Sequence, residues 1–254
     1  MARRGSPGAA TLAVRRTRAG RATDATAARR APGGARPADA PGAEARAALI
    51  AAARALDALG FMPGRSGNLS LRTPRGLLIT PSGLPYAATT PDDLVEVTPD
   101  GAVLAGTRRP SSEWRLHAAL YAARPEAGAV VHTHSPHATA LSCARQGLPP
   151  FHYMIALAGA AEIRCAAYAT FGTAALAAAA VEAMAGGRRA ALLANHGVVA
   201  IGTTLAAARA LAEEVENLAR QYLALRAAGL SPVLLTEAEM AEVLAGFADY
   251  GQPG

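Results

Sequence analysis

Apolar positions form no pattern in the first 42 residues and a regular one from Ala43 onward. Residues 43–59 repeat apolar side chains at helical spacing and predict a helix that stops at Gly60. Two short β-rich runs, 68–72 and 76–80, flank the turn sequence Thr73-Pro74-Arg75-Gly76. Residues 111–124 predict a helix opened by Ser111 or Ser112 and closed before Pro125. The run GAVVHTH (128–134) predicts a strand, and 136–145 and 173–185 predict helices. Residues 190–201 read as two buried strand pieces around an Asn-His-Gly turn. A long helix over 204–228 and a short one over 236–247 follow, separated by Ser231-Pro232. Helices alternate with strands, yet several strands join through tight turns. The expected fold is therefore a single α/β domain with a mixed, largely antiparallel central sheet covered by helices.

Composition sharpens this picture. The chain has 254 residues, 51% hydrophobic but only 4% aromatic, so its core must be aliphatic and alanine-rich. Residues 1–42 are dominated by Ala, Arg, Gly and Pro and cannot bury enough surface to offset the entropy of ordering. They are expected to be a disordered extension, with residues 43–254 forming the folded domain. The extension holds nine arginines and two aspartates, a formal +7 against +6 for the whole chain. The body is thus close to neutral, and nucleic-acid binding by the folded part is not expected. No uncharged apolar stretch reads as a membrane span, and there is no secretory apolar region. Cys143 and Cys165 form no CxxC pair, which points to a reducing compartment and a cytoplasmic location.

All 25 basic residues are arginine. A lysine Schiff base, a pyridoxal-phosphate lysine and a Walker A loop are excluded together.

What chemistry remains gathers around histidine. His132 and His134 stand at strand positions i and i+2, which project to one face, a spacing suited to chelating a divalent metal. An H-x-H pair is also common by chance. His196, in Ala194-Asn195-His196-Gly197, lies far along the chain; taken singly it reads as a turn histidine, and folding alone can join it to the pair. Ser111-Ser112-Glu113 sits where a helix is expected to begin, a place that favours anions or serves as a plain cap. A carboxylate there could act as a base or a fourth ligand. Gly67-Asn68 and Ser82-Gly83 are turn sequences whose backbone N–H groups could cradle an anion. Four other features have plainer readings: His117 as a helix-surface or packing residue, His137 as a local hydrogen-bonder, Trp114 as core or interface packing, and Glu213-Glu214-Glu216 as a solvated helix face.

Seven segments in this order, SGNLSLR (66–72), LLITPSGLPY (77–86), PSSEWRLH (110–117), AVVHTHSPHATA (129–140), HYMIALAG (152–159), YATFG (168–172) and LLANHGVVA (192–200), resemble the class II aldolase/adducin family over about residues 43–250. The resemblance implies zinc, or another divalent metal such as Mn2+ or Co2+, on His132, His134 and His196. It implies Glu113 as the catalytic acid/base able to approach the metal, and a substrate phosphate held by Gly67, Asn68, Ser82, Gly83, Ser111 and Ser112. Tyr153 would donate a proton to the aldehyde oxygen, and Tyr250 would close over the site. The family's usual HHG has Asn195 in its first place here, at a position that is not a ligand. Related epimerases carry aspartate where Glu113 stands, so this chain sides with the aldolases. The implied activity is reversible retro-aldol cleavage of a deoxyketose 1-phosphate, of the L-fuculose 1-phosphate type, to dihydroxyacetone phosphate and a small aldehyde such as L-lactaldehyde. Alternatives are a 5-deoxy- or 5-methylthio-pentulose 1-phosphate as substrate, or a 4-epimerase or dehydratase on the same scaffold. A non-catalytic adducin-like interaction domain would be expected to lose metal ligands that are present here. The resemblance also implies a homotetramer with sites at subunit interfaces.

Overall fold

In a computed structural model, residues 42–248 are described. The extension read over residues 1–42 falls almost wholly outside them, as does Tyr250. Eight strands make one sheet: β1 (Asn68–Thr73), β2 (Gly76–Ile79), β3 (Val95–Val97), β4 (Val103–Ala105), β5 (Ala129–Thr133), β6 (Cys165–Ala166), β7 (Ala190–Leu193) and β8 (Gly197–Gly202). Their order is β4-β3-β2-β1-β5-β8-β7-β6. Every neighbouring pair is antiparallel except β6–β7. This is the expected mixed, mostly antiparallel α/β sheet.

Helices cover both faces, which is why β5, β7 and β8 read as unbroken apolar runs rather than as alternations. Leu69, Val131, Leu192, Val198 and Ala200 face a core shared with α1 (Ala43–Ala58), α3 (Pro136–Cys143) and α5 (Leu205–Ala227). Val130, Ala191, Leu193, Val199 and Ile201 face the opposite core, built with α2 (Trp114–Ala123) and α4 (Ala174–Ala183). Val130 and Val131 thus serve different layers, as the strand period requires. α5 buries Ala208, Leu211, Ala212, Val215, Leu218 and Ala219, a stripe at helical spacing. Each fully buried leucine among these contributes about 1.5–3 kcal/mol. The last helix, α6 (Glu237–Ala248), packs Met240 into the first core.

The structure departs from the sequence reading in four places. β3, β4 and β6 have three, three and two residues, too short to show an alternation. α2 starts at Trp114, not at Ser111 or Ser112. The Ser111 N–H is bound to Thr80 O at 3.1 Å and Pro110 bridges Pro81, so the backbone is tied to the Thr80-Pro81 segment up to Ser111, and a turn through Ser112 and Glu113, with Trp114 N–H on Ser111 O at 3.2 Å, leads into the helix. Glu216 is no solvated residue: its carboxylate is buried and accepts from the N–H groups of His137 and Ala138 at the start of α3. It also pairs with His137 Nδ1 at 2.6 Å, so His137 has a partner 79 residues away rather than a local one. Of the two readings of His117, the packed one holds: it is fully buried.

Candidate functional site

β5 and β8 pair with His132 opposite Val199, and β1 pairs with β5 with Asn68 opposite His132. The β7–β8 turn closes at His196, whose N–H bonds Leu193 O at 3.0 Å. Asn195 takes a left-handed conformation there, φ 54°, which asparagine tolerates better than most residues. These pairings bring the three imidazoles together, with ring centroids 4.8–4.9 Å apart. Their ligand atoms all lie within 4.8 Å of one another. His134 sits one residue past the end of β5, anchored by its N–H to Phe61 O at 2.9 Å.

Glu113 completes the cluster. Its Oε2 lies 3.2 Å from His132 Nε2, and its Oε1 lies 3.3 Å from His196 Nε2. His132 Nε2 lies 3.1 Å from His134 Nε2. A tetrahedral ion with bonds of about 2.0–2.1 Å to nitrogen separates its ligands by roughly 3.3 Å, so these spacings fit one small divalent cation. His132 Nδ1 donates to Val198 O at 2.9 Å, which leaves its Nε2 as a lone pair aimed into the cluster. Glu113 Oε1 is buried without a hydrogen bond, as an oxygen awaiting a cation would be.

The electrostatics agree. Burial, and then the neighbouring His132, push His134 down to about 3 and His196 down to about 4, so both are neutral donors at ordinary pH. Burial works to raise the Glu113 carboxyl, but His132, His196 and the Asn68 amide outweigh it and hold it well below the usual carboxylate range. Burial likewise works against a charged His132, yet the Glu113 carboxylate outweighs it and raises the imidazole. An ionised carboxylate beside the neutral imidazoles of His134 and His196 is an environment that attracts one cation.

A cavity of about 270 Å³ opens beside the cluster. Gly67, Asn68, Ser82, Gly83, Ser111, Ser112, Glu113, His134 and His196 all line it. Ser82, Gly83 and Ser112 are exposed in it, whereas Ser111 is buried and its Oγ accepts from Glu113 N–H at 3.2 Å. Gly67 has φ 73°, and a Cβ there would stand 2.7 Å from His132 O, so only glycine fits. Tyr168 and Phe171 line the same cavity with exposed rings. Tyr153 does not line it: it is exposed, with its ring stacked on that of Phe247.

Sequence reasoning missed a buried chain of hydrogen bonds behind the carboxylate. Asn68 Nδ2 donates to Glu113 Oε2 at 2.9 Å, so Asn68 Oδ1 accepts from His117 Nε2 at 2.5 Å. His117 Nδ1 then accepts from the Ser70 hydroxyl at 2.7 Å, and Ser70 accepts from Tyr121 at 2.8 Å. Burial pushes His117 down to about 3, which keeps the single ring proton this order requires. Both ends of the Asn68 amide are thus engaged by protein groups. The available signal was Glu113 and His117 at i and i+4, one turn apart.

A family model described as the Class II Aldolase and Adducin N-terminal domain matches residues 47–223. A 5-methylthioribulose-1-phosphate/5-deoxyribulose-1-phosphate aldolase of Rhodospirillum rubrum is 52% identical over 207 residues, covering 81% of this chain and 92% of the relative. An L-fuculose phosphate aldolase of Escherichia coli is 45% identical over 193 residues, covering 76% and 89%. The solved structure of an L-fuculose 1-phosphate aldolase superposes with a TM-score of 0.80 at 38% identity, covering 84% of this chain and 100% of that one. With three converging imidazoles, a carboxylate at their centre and this breadth of likeness, the chain belongs to the class II aldolase and adducin family.

Proposed function

We propose that this chain is a divalent-metal-dependent aldolase that reversibly cleaves a 5-deoxy- or 5-methylthio-pentulose 1-phosphate to dihydroxyacetone phosphate and acetaldehyde or its methylthio derivative. The observation that carries the aldolase reading is the convergence of His132, His134, His196 and Glu113 beside a cavity edged by glycines and hydroxyls. The sequence pattern taken alone favoured L-fuculose 1-phosphate. The Rhodospirillum relative, at 52% identity, moves the preference to the pentulose phosphates. The exposed rings of Tyr168 and Phe171 suit a methyl or methylthio tail.

Cleavage removes the proton from the C4 hydroxyl and breaks the C3–C4 bond, whose electron pair moves toward the C2 carbonyl. A divalent cation on the three histidines, with zinc the best match to neutral nitrogen donors, would supply the Lewis acid that takes up this electron density, a role no amine can fill in a chain without lysine. Glu113 delivers the proton to C3 to complete dihydroxyacetone phosphate, and removes it in the synthetic direction. Gly67, Ser82, Gly83, Ser111 and Ser112 hold the phosphate, together with Asn68 through its main chain. Holding the remote end fixes the reacting bond against Glu113. Tyr153, exposed on its own chain, reaches a neighbour's site in a homotetramer, where it takes the C4 hydroxyl proton in cleavage and returns it in the synthetic direction, with Tyr250 closing over it.

The test is a panel of ketose 1-phosphates with the metal-loaded enzyme, reading dihydroxyacetone phosphate release. The 5-deoxy- and 5-methylthio-pentulose phosphates should exceed L-fuculose 1-phosphate in kcat/KM by about 10-fold or more, the scale of discrimination one small group supports. Turnover that leaves the carbon skeleton intact would replace the aldolase with an epimerase or dehydratase. Light scattering at the mass of one chain, in a fully active sample, would remove the shared-site arrangement.

Replacing His117 by Leu should lower kcat about 10- to 100-fold while KM and metal stoichiometry stay near wild type, because the Asn68 amide then no longer orients Glu113. Wild-type kcat in that variant would show that the chain of hydrogen bonds is structural only.

A further inference from the structure

A sugar phosphate brings close to two negative charges into a cavity that already holds the Glu113 carboxylate. The hydroxyls and backbone N–H groups of Ser82, Gly83 and Ser112 offer hydrogen bonds but no charge. Among the described residues lining the cavity, Arg65 alone carries a fixed positive charge. Its Nη1 donates to Gly83 O at 3.1 Å, which places the guanidinium over the Ser82-Gly83 turn. The other donors of the fork have no acceptor among the described residues, and the side chain is exposed.

The backbone adds an independent observation. Arg65 has φ 71°, in the left-handed region that suits glycine. Among the described residues three non-glycines adopt a positive φ, and two of them, Arg65 and Asn195, line this cavity. Asn195 lines the cavity, and Arg145 donates to Asn195 Oδ1 at 2.9 Å. Glycine would hold the turn at position 65 without strain, so the strain there belongs to keeping an arginine side chain at that point.

We propose that Arg65 is a ligand of the substrate phosphate, its guanidinium supplying the charge contact that the Gly67-Asn68, Ser82-Gly83 and Ser111-Ser112 pairs lack. A planar fork with free donors matches phosphate oxygens in pairs. The inference rests on the reading of the substrate as a phosphorylated ketose. Since the phosphate lies away from the breaking bond, Arg65 binds ground state and transition state alike, so its removal acts on KM rather than kcat.

The test uses the zinc-loaded full-length enzyme, with Arg65→Gly and Arg65→Lys. Inorganic phosphate binding is measured by titration calorimetry, alongside KM, kcat and Tm. Arg65→Gly relaxes the turn and should keep or raise Tm. Its Kd for phosphate and its KM should rise about 10- to 100-fold, the loss of one charge-assisted hydrogen-bond contact. Its kcat should stay within a few-fold, and Arg65→Lys should recover part of the loss. Unchanged phosphate affinity and KM in Arg65→Gly overturns the assignment, as does a wild-type enzyme that binds no phosphate. If the wild type binds phosphate and Arg65→Gly weakens it, but no ketose 1-phosphate is cleaved, Arg65 stands and the aldolase reading falls.

Discussion

Glu113→Gln is expected to lower kcat by about 10²- to 10⁴-fold, the range associated with losing a positioned acid/base. The amide keeps the shape of the carboxylate, and its carbonyl oxygen still accepts from Asn68 Nδ2, so the side chain should stay in place. What it loses is the ability to carry a proton at the one point that touches both His132 and His196. KM should move little, because the residues proposed to hold the phosphate are other members of the cavity lining. Bound metal should persist on the three imidazoles, since they supply a complete nitrogen set without the carboxylate. The measurement is dihydroxyacetone phosphate release at saturating substrate, with metal content assayed on the same preparation. A kcat within two-fold of wild type would remove Glu113 from proton transfer, and loss of the metal would recast it as an essential ligand.

Gly197→Ala should weaken the metal site by adding one methyl group. A Cβ at this position would stand 2.4 Å from Thr133 O, 3.1 Å from His134 Cδ2 and 3.4 Å from His132 Cε1. The carbonyl belongs to the end of β5 and cannot yield without disturbing the β5–β8 pairing that sets His132 opposite Val199. The two rings belong to the proposed ligands themselves. Either the turn carrying His196 retreats or His134 is pushed aside, and the 3.1–3.3 Å spacings open in both cases. Metal affinity is expected to fall about 10- to 100-fold, as for other changes that disorient a ligand. Overpacking of this kind also costs about 1–3 kcal/mol of stability. Competition with a chromogenic chelator reads the first effect and thermal unfolding of the metal-stripped protein reads the second. Retention of both at wild-type values would mean that the turn is looser than the packing around Gly197 implies.

Much of this molecule was legible before folding. Local periodicity located α1, the β1–β2 hairpin, β5, the β7–β8 pair and α5, because each element writes its own period into consecutive residues. His132 and His134 announced a shared face for the same reason, and the missing lysine excluded an amine as electron sink from composition alone. The motifs quoted along the chain also pointed to the correct family. Their preference for L-fuculose 1-phosphate is not decided by the relatives, which include aldolases of both substrate classes, because the two classes differ only at the aldehyde end, where the motifs are silent.

Residue order alone determined the elements, the candidate ligands and the exclusion of lysine chemistry, since these depend on neighbours within a few positions. Tertiary structure decided the rest. Only the strand order β1-β5-β8 brings Asn68 and His196 to His132, and hydrogen-bond pairing between strands leaves no mark in the period of either one. Only the packing of α2 on that sheet turns His117 from an ordinary helix residue into the link between Ser70 and Asn68. Glu216 changed from a presumed surface acid to a buried cap because its partner is the start of a helix 79 residues earlier. A side chain's chemistry is written in its residue type, but its role depends on what the fold places against it, and those contacts are long-range.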